Sequence, residues 1–225
     1  YYGSQRLWQS DDRGGSWTAI SGDLTLGKNR YEQPFMGRVW SVDALYDNSA
    51  MSKYATLTAI AESPRAEGTL VVGTDDGLVQ VSSNGGRSWS RTVPLPGLPP
   101  LSFINHVEAS LFDSATIYVV ADAHKTGDFA PYAFESTDLG RTWRSIAGDL
   151  PKGTLVWSFQ QDQVKPDLLF LGTETGIYFS ANHGGNWYKL GYGVPTISFR
   201  DIKLQRRDND QVGGGHGRGL GVRHA

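Results

Sequence analysis

The chain has 225 residues with 39% hydrophobic and 12% aromatic content, which is enough for one sizeable core. Its formal charge of −2 comes from 21 basic and 23 acidic residues that are well mixed, so no electrostatic footprint for a nucleic acid or an anionic membrane is present. The absence of cysteine excludes disulfides, thiolate metal sites and a cysteine nucleophile. No apolar run approaches the length of a membrane span, and we expect no direct membrane insertion.

Along the chain, short strand-like runs alternate with turn residues, which predicts an all-β protein with a single domain at 1–225. The first unit lacks its first strand, and a long connector follows it. A connector of that length inside a compact repeat is more often functional than idle. We expect a partial unit at 1–20, the connector at 21–53, complete four-stranded units at 54–93, 104–147 and 155–190, and a partial closing unit at 197–225.

Four of these units carry the same octapeptide, Ser-x-Asp/Asn-x-Gly-x-x-Trp. An Asp or Asn side chain can accept hydrogen bonds from backbone N–H groups further along, and Gly supplies the positive φ of a tight turn. The pattern predicts a rigid hairpin corner with a tryptophan lid. The alternative is a cation loop, but a single carboxylate is a poor Ca²⁺ cage and two copies carry Asn, so no metal is expected. The four copies are Ser10, Asp12, Gly14, Trp17; Ser82, Asn84, Gly86, Trp89; Ser136, Asp138, Gly140, Trp143; and Ser180, Asn182, Gly184, Trp187.

These octapeptides resemble Asp boxes, also called BNR repeats, from the β-propellers of sialidases, sortilin-like receptors and several glycoside hydrolases. The resemblance implies a β-propeller of four-stranded antiparallel blades, with each box between the third and fourth strands and away from the usual ligand face. Residues 216–220 also resemble the closing blade of bacterial sortilin-like proteins labelled glycosyl hydrolases, where a Gly-Thr-His-Gly-Arg-Gly-Leu-Trp run is typical. Gly215 and Gly221 depart from that run. Two closures are open: the end strands combine into one blade of a small ring, or the chain is part of a larger ring. Since the chain begins without Met, we expect the second.

In a blade, the loops between the second and third strands share one face with the loops between blades. Together with the connector, these loops predict a common binding surface opposite the boxes. The alternative for each acidic residue is simple solvation in a turn. The ligand-face candidates are Asp75, Asp76, Asp122, His124, Asp128, Glu174, His216 and Arg218.

Catalytic signatures are weak. Sialidase activity needs an arginine cluster beside a Tyr/Glu pair, and a propeller-type glycoside hydrolase needs two carboxylates about 5–10 Å apart across a groove, which no local motif marks. Signatures of a Ser-His-Asp triad, a P-loop and a His-rich metal site are missing. The arginines that qualify by residue type alone are Arg38, Arg65, Arg200 and Arg218, and the aromatic residues that could stack on sugars are Tyr31, Phe35, Trp40 and Tyr46.

The sequence therefore favours a non-catalytic ligand- or protein-binding propeller module of an exported protein, extracellular or periplasmic. We expect a protein or glycan ligand, no nucleic acid and no cofactor. A carbohydrate-active glycoside hydrolase is the alternative. A second alternative is an assembly or scaffold subunit of a large complex, since some Asp-box propellers help to build photosynthetic complexes.

Overall fold

The computed structural model describes residues 1–35, 37–40, 44, 54–191, 193–205, 207, 210–215 and 219–224. Within these ranges the regular structure is strand, apart from two single-turn 3₁₀ helices at Arg30–Glu32 and His124–Thr126. None of the helical segments in the described ranges has the length and hydrophobicity that a membrane span needs. The expectation of an all-β chain is confirmed.

The strands are short and follow one another closely along the chain. They are β1 Tyr2–Gly3, β2 Leu7–Gln9, β3 Thr18–Ala19, β4 Pro34–Phe35, β5 Arg38–Val39, β6 Leu57–Glu62, β7 Leu70–Thr74, β8 Val79–Ser82, β9 Ser90–Arg91, β10 Phe103–Ala109, β11 Ile117–Ala123, β12 Asp128–Ser136, β13 Arg144–Ser145, β14 Val156–Gln161, β15 Leu169–Thr173, β16 Gly176–Ser180, β17 Tyr188–Lys189, β18 Phe199–Gln205, β19 Asp210–Gly215 and β20 Gly219–His224.

Strands that are consecutive in sequence pair with each other, so every sheet is an antiparallel meander. Three sheets have four strands: β6–β9, β10–β13 and β14–β17. Strands β1–β3 and β18–β20 form three-stranded sheets. The connector contains a small hairpin of β4 and β5, which sequence reasoning missed because strands of two residues are too short to show an alternating pattern.

The hydrophobic core lies between neighbouring sheets, which pack face to face. Strand β11 is buried along its whole length because sheets cover both of its faces, which explains its apolar run at 117–121. The Tyr118 ring of this strand stacks on Phe159 of β14, with 4.4 Å between ring centroids. The fourth strand of each complete sheet, by contrast, is two residues long and exposed.

Neighbouring sheets approach closely near their first strands. A Cβ atom added at Gly172 of β15 would lie 2.3 Å from Ser158 Oγ and 2.6 Å from the Phe199 carbonyl oxygen of the next sheet. Any larger residue would push the two sheets apart, and this steric limit explains the glycine inside a strand.

The first strands of the last four sheets, β6, β10, β14 and β18, lie side by side. Each one has a β-bulge near its beginning, at the residue where the pairing register shifts. We call these four residues the bulge row: Thr58, Asn105, Trp157 and Arg200. Bulges re-aim side chains and are common beside functional sites.

Candidate functional site

The octapeptides form corners at the turn between the third and fourth strands of their units. In the third copy, Ser136 Oγ donates to Asp138 Oδ1 at 2.7 Å and accepts from Gly140 N at 2.7 Å, while Thr142 N donates to Asp138 Oδ1 at 2.8 Å. Gly140 has φ 81°, a conformation that other residues adopt only with strain. The other three copies repeat the hydrogen bonds to the Ser hydroxyl and the Asp or Asn oxygen.

The carboxylates of Asp12 and Asp138, in the first and third octapeptides, accept hydrogen bonds from residues of their own turns. Hydrogen bonds from Ser16, and then from Ser10, lower the pKa of Asp12 to about 2, and bonds from Thr142 and Ser136 lower the pKa of Asp138 to about 2. Their oxygens therefore serve the hairpin corner. In the part of the chain that the structure describes, no three His, Cys, Asp or Glu side chains are grouped so that they could hold a metal ion.

Strand pairing puts the candidate ligand face at the other end of the sheets. The third strand runs from the second hairpin turn to the box, so these two turns lie at opposite ends of it. The first strands begin at the same end as the second hairpin turn, because Val156 pairs with Thr173 and Leu57 with Thr74. The bulge row and the hairpin turns thus share one end.

Asp75 and Asp76 lie in the turn between β7 and β8 and are 3% and 1% exposed, so they are buried rather than solvated. Asp75 Oδ1 accepts from Thr56 N at 2.9 Å, and Asp75 N donates to the Thr56 carbonyl oxygen at 3.0 Å. Asp76 accepts from Thr74 Oγ1 at 2.6 Å and from Leu26 N of the connector at 2.7 Å. Both carboxylates hold loops in place.

Asp75 gives stability a pH dependence that can be measured. Burial, more than the neighbouring Asp76, raises the pKa of Asp75 to about 6, although the Thr56 N–H opposes the shift. The folded state therefore holds this proton more tightly than the unfolded state, and the contribution to the free energy of unfolding is full below about pH 4 and lost as the pH rises to about 6. We expect Asp75→Asn to remove that loss, measured as urea midpoints from pH 4 to 7. Exposed Asp201→Asn is the control, and equal slopes in wild type and Asp75→Asn would contradict the assignment.

The next hairpin turn presents Asp122, His124 and Lys125. Asp122 is 2% exposed, and its Oδ1 contacts His124 Nδ1 and accepts from His124 N at 3.2 Å. Burial lowers the pKa of Lys125, whose Nζ lies 5.4 Å from the centre of the Phe103 ring. The buried aspartate therefore orients a half-buried imidazole toward the next sheet.

Asp128 is used inside its own loop as well. It accepts from Ala130 N at 2.9 Å and from the Tyr132 hydroxyl at 2.6 Å. Burial, followed by this hydrogen bond, raises the pKa of Tyr132 to about 12. Between these partners, Phe129 is 52% exposed and leaves an apolar ring on the loop surface.

Glu174 belongs to a network that connects two sheets. Its Oε2 accepts from Trp157 Nε1 at 2.8 Å and from Ser198 Oγ at 3.0 Å. The Arg200 guanidinium lies over the Trp157 ring, with Cζ 3.5 Å from the ring centroid, and its Nη2 is 3.7 Å from Glu174 Oε2. Arg200 Nε donates to Ser198 Oγ at 3.1 Å, and the side chain remains 54% exposed. The network holds a cation in a fixed position while leaving part of it open to solvent.

His124 reaches the same network from the preceding sheet, since its ring meets the Trp157 ring edge-on at 5.6 Å between centroids. The structure thus brings two candidates, His124 and Glu174, together around Trp157. Asp122 and Asp128 are held by their own loops, and Asp75 and Asp76 by contacts that include Thr56 and Leu26 from other segments. The candidates His216 and Arg218 lie outside the described residues, as does Tyr46.

Sequence reasoning missed Trp157 and considered Arg200 only by residue type. The signal that could have found them is their shared position in the repeated first strand. Trp157 and Arg200 each occupy the bulge of that strand, between residues that pair with the second strand. At the corresponding positions, Thr58 Oγ1 donates to the Ile104 carbonyl at 2.7 Å and Asn105 Nδ2 to the Val156 carbonyl at 2.8 Å. The first two members of the bulge row therefore join strands. The last two, Trp157 and Arg200, together with Ser198 and Glu174, hold the positively charged guanidinium of Arg200 in place, and we call this group the cation site.

Comparison with known proteins identifies the architecture. No protein-family model matches the chain. Vacuolar protein sorting/targeting protein 10 of Arthroderma gypseum is 29% identical over 157 residues, which is 64% of the chain and 10% of that protein. The GH74 xyloglucanase of Xanthomonas campestris matches with TM-score 0.65 and 17% identity, over 98% of the chain and 34% of that structure. A β-propeller domain from Myceliophteria thermophila matches with TM-score 0.55 and 11% identity, over 76% of the chain and 52% of the domain.

The chain is a β-propeller. An ancestral GH74 enzyme gives a similar match, with TM-score 0.64 and 18% identity over 93% of the chain and 24% of that structure. The predicted fold class, blades of four antiparallel strands, is confirmed, and so is the resemblance to sortilin-like and glycosyl-hydrolase-like propellers. The propeller spans a tenth of the curated relative and about a third or less of the two GH74 structures.

Proposed function

We propose that this propeller is a non-catalytic binding module that recognises an acidic protein or glycan ligand through Arg200. The observation that carries the proposal is the half-exposed guanidinium, which Trp157 supports from one side and which Ser198 and Glu174 orient. Arginine is common among the residues that dominate binding energy, and it pairs well with carboxylates because its donors form a fixed fork. An ordered side chain also loses less entropy on binding than a free one.

The environment of the acidic side chains favours a binding function over a catalytic one. Asp75, Asp76, Asp122 and Asp128 each accept hydrogen bonds from their own hairpin or from a neighbouring loop. Three of them are buried at 3% exposure or less, where a substrate could reach them only after the loop moved. They fix the shape of the ligand face, which is a structural role.

Arg200→Ala tests the proposal. The probes are arrays of acidic peptides and of uronic-acid or sialylated glycans. The signal is the amount of fluorescently labelled propeller that each spot of the array retains. We expect signals on the ligands that wild type binds to fall at least about ten-fold, a typical effect for a central arginine. Lys203→Ala is the matched control, because Lys203 is an exposed cation on the same strand, 58% exposed. Equal signals for wild type and Arg200→Ala, or no bound acidic ligand on any array, would contradict the proposal.

A glycoside hydrolase is the second candidate, and one observation favours it: the raised pKa of Asp75, about 6, suits a general acid. A hydrolysis screen on β-glucan, xyloglucan and other polysaccharides separates the two functions. We expect no turnover from wild type. Turnover that Asp75→Ala, Asp76→Ala or Glu174→Ala abolished would defeat the binding module and support the hydrolase.

An exported or vacuolar location belongs to the same proposal. It is supported by the curated relative, whose name places it in vacuolar protein sorting and targeting. Secretion of a reporter fused to the full-length protein would test it, and retention of that reporter in the cytoplasm would count against it.

A further inference from the structure

A recess lies at the same end of the sheets as the cation site, where the connector passes over the β6–β9 blade. Its volume is about 490 Å³, within the range of small-molecule pockets. The connector supplies one wall, the turn between β7 and β8 another, and the proline-rich crossing at 94–101 the third. Neither Arg200 nor Trp157 lines the recess, so it is separate from the cation site.

The walls are aliphatic. Among the residues that the structure describes, none that lines the recess has an aromatic ring, which argues against a sugar, since sugars are usually held on aromatic platforms. An extended saturated chain fits such walls because its binding depends on burying apolar surface rather than on stacking. The aliphatic wall consists of Leu26, Leu78, Val79, Leu95, Leu98 and Leu101, with prolines beside them.

The charged groups of the recess are unequal in exposure. Lys28 and Arg91 line it and are exposed, and neither forms an ion pair with a residue that the structure describes. Asp76 also lines it but is 1% exposed, and both of its oxygens already accept hydrogen bonds, from Thr74 and Leu26. The solvent-facing charge of the recess is therefore positive, and its complement is an anion.

Backbone conformation also marks this recess. Leu101 has φ 60°, in the left-handed region that costs a residue with a Cβ about 1 kcal/mol. Strained residues of this kind cluster at ligand clamps. The conformation places Leu101 in the wall beside Pro99 and Pro100.

We propose that the recess binds an aliphatic carboxylate, a single-chain amphiphile whose head meets Lys28 and Arg91 and whose chain lies along the leucine and valine wall. The cationic groups select the head, and the aliphatic wall selects the chain. This site is independent of the cation site at Arg200.

The test is calorimetric titration of the folded protein with decanoate, below the concentration at which it forms micelles. We expect saturable binding with one ligand per chain. Arg91→Glu and Lys28→Glu each weaken it roughly ten-fold, because an exposed attraction becomes a repulsion. Arg141→Glu, an exposed arginine of the third box that does not line the recess, leaves the affinity unchanged, and so does Arg200→Ala.

Three results would overturn the proposal. Decanol binding as tightly as decanoate would remove the role of the cations. Failure of wild type to bind decanoate at 1 mM, roughly the weakest affinity that such a recess should give, would remove the site. A dimer in sedimentation experiments that Val93→Glu dissociates would show that a second copy covers this face instead. Because Arg200→Ala affects only the first proposal, failure of one leaves the other standing.

Discussion

Replacing Trp187 with alanine is expected to lower the free energy of unfolding by about 3 to 5 kcal/mol, the range for a buried aromatic side chain. Trp187 is the tryptophan of the fourth box and is 6% exposed. It belongs to a core cluster with Ile146, Ala147 and Leu150 of the preceding blade, and its Nε1 donates to the Ile146 carbonyl at 2.7 Å. The substitution removes this contact between blades and leaves a cavity.

The octapeptide itself provides the matched control. Trp17 has the same position in the first box but is 46% exposed, and its ring makes an edge-on contact with Tyr2 at 6.1 Å between ring centroids. Trp17→Ala should cost about 1 kcal/mol or less, since little apolar surface leaves the core. Trp187→Phe, which keeps a ring but loses the N–H donor, should fall between the two. Urea unfolding followed by far-ultraviolet circular dichroism measures all three, and equal losses at the two tryptophans would refute the argument.

Removing the Glu135 carboxylate is expected to cost about 3 kcal/mol, because a buried ion pair loses one partner while the other remains. Glu135 in β12 is 2% exposed. Its two oxygens contact Arg144 Nε of the same blade and His183 Nε2 from the box of the next blade. Arg144 Nη2 also donates to the His183 carbonyl at 3.2 Å. Arg144 and His183 are partly exposed, which places the expected cost at the lower end of the range.

Glu135→Ala and Glu135→Gln should both destabilise, the glutamine less because it keeps the volume and can still accept a hydrogen bond. Asp201→Ala is the control, since Asp201 is exposed and forms a surface pair with Lys203 at 3.9 Å. Such exposed pairs contribute roughly 0 to 1 kcal/mol. Thermal and urea unfolding give the values, and a loss below about 1 kcal/mol for Glu135→Ala would show that water replaces the pair without penalty.

Glu135 also acts on its neighbour Tyr118. Burial, followed by the nearby Glu135 carboxylate, raises the pKa of the Tyr118 phenol well above its usual range. Gln161 Nε2 of the next blade donates to the same hydroxyl at 3.2 Å. The polar contacts of Glu135 and Tyr118 thus join consecutive blades, as Trp89 and Trp187 do.

The repeated octapeptide predicted the hairpin corners from sequence, and its resemblance to Asp boxes implied the propeller. Ser136, Asp138 and Gly140 form their turn through hydrogen bonds within four residues. Such local bonds depend on residue order alone, which is why the octapeptide pattern predicts the hairpin corner. The alternation of short apolar runs with turns likewise predicted antiparallel meanders, because a short turn places each strand beside the strand that precedes it.

The candidate site was only partly predictable. The predicted hairpin turns were enough to select Glu174 and His124 as candidates. The sequence did not show that Asp75, Asp76 and Asp122 are buried, because their burial depends on segments from elsewhere in the chain. Leu26, for example, reaches Asp76 across 50 residues. A turn carboxylate looks the same in sequence whether it is free or already bound.

Local residue order therefore determined the strands, the corners and the end of the sheets at which the candidate ligand face lies. The tertiary structure decided which side chains meet there. Trp157 and Arg200 belong to different blades and touch only because a bulge turns each of them out of its first strand and packing sets those strands side by side. A register shift and the closeness of two sheets depend on the whole assembly of blades, and no short stretch of sequence encodes them.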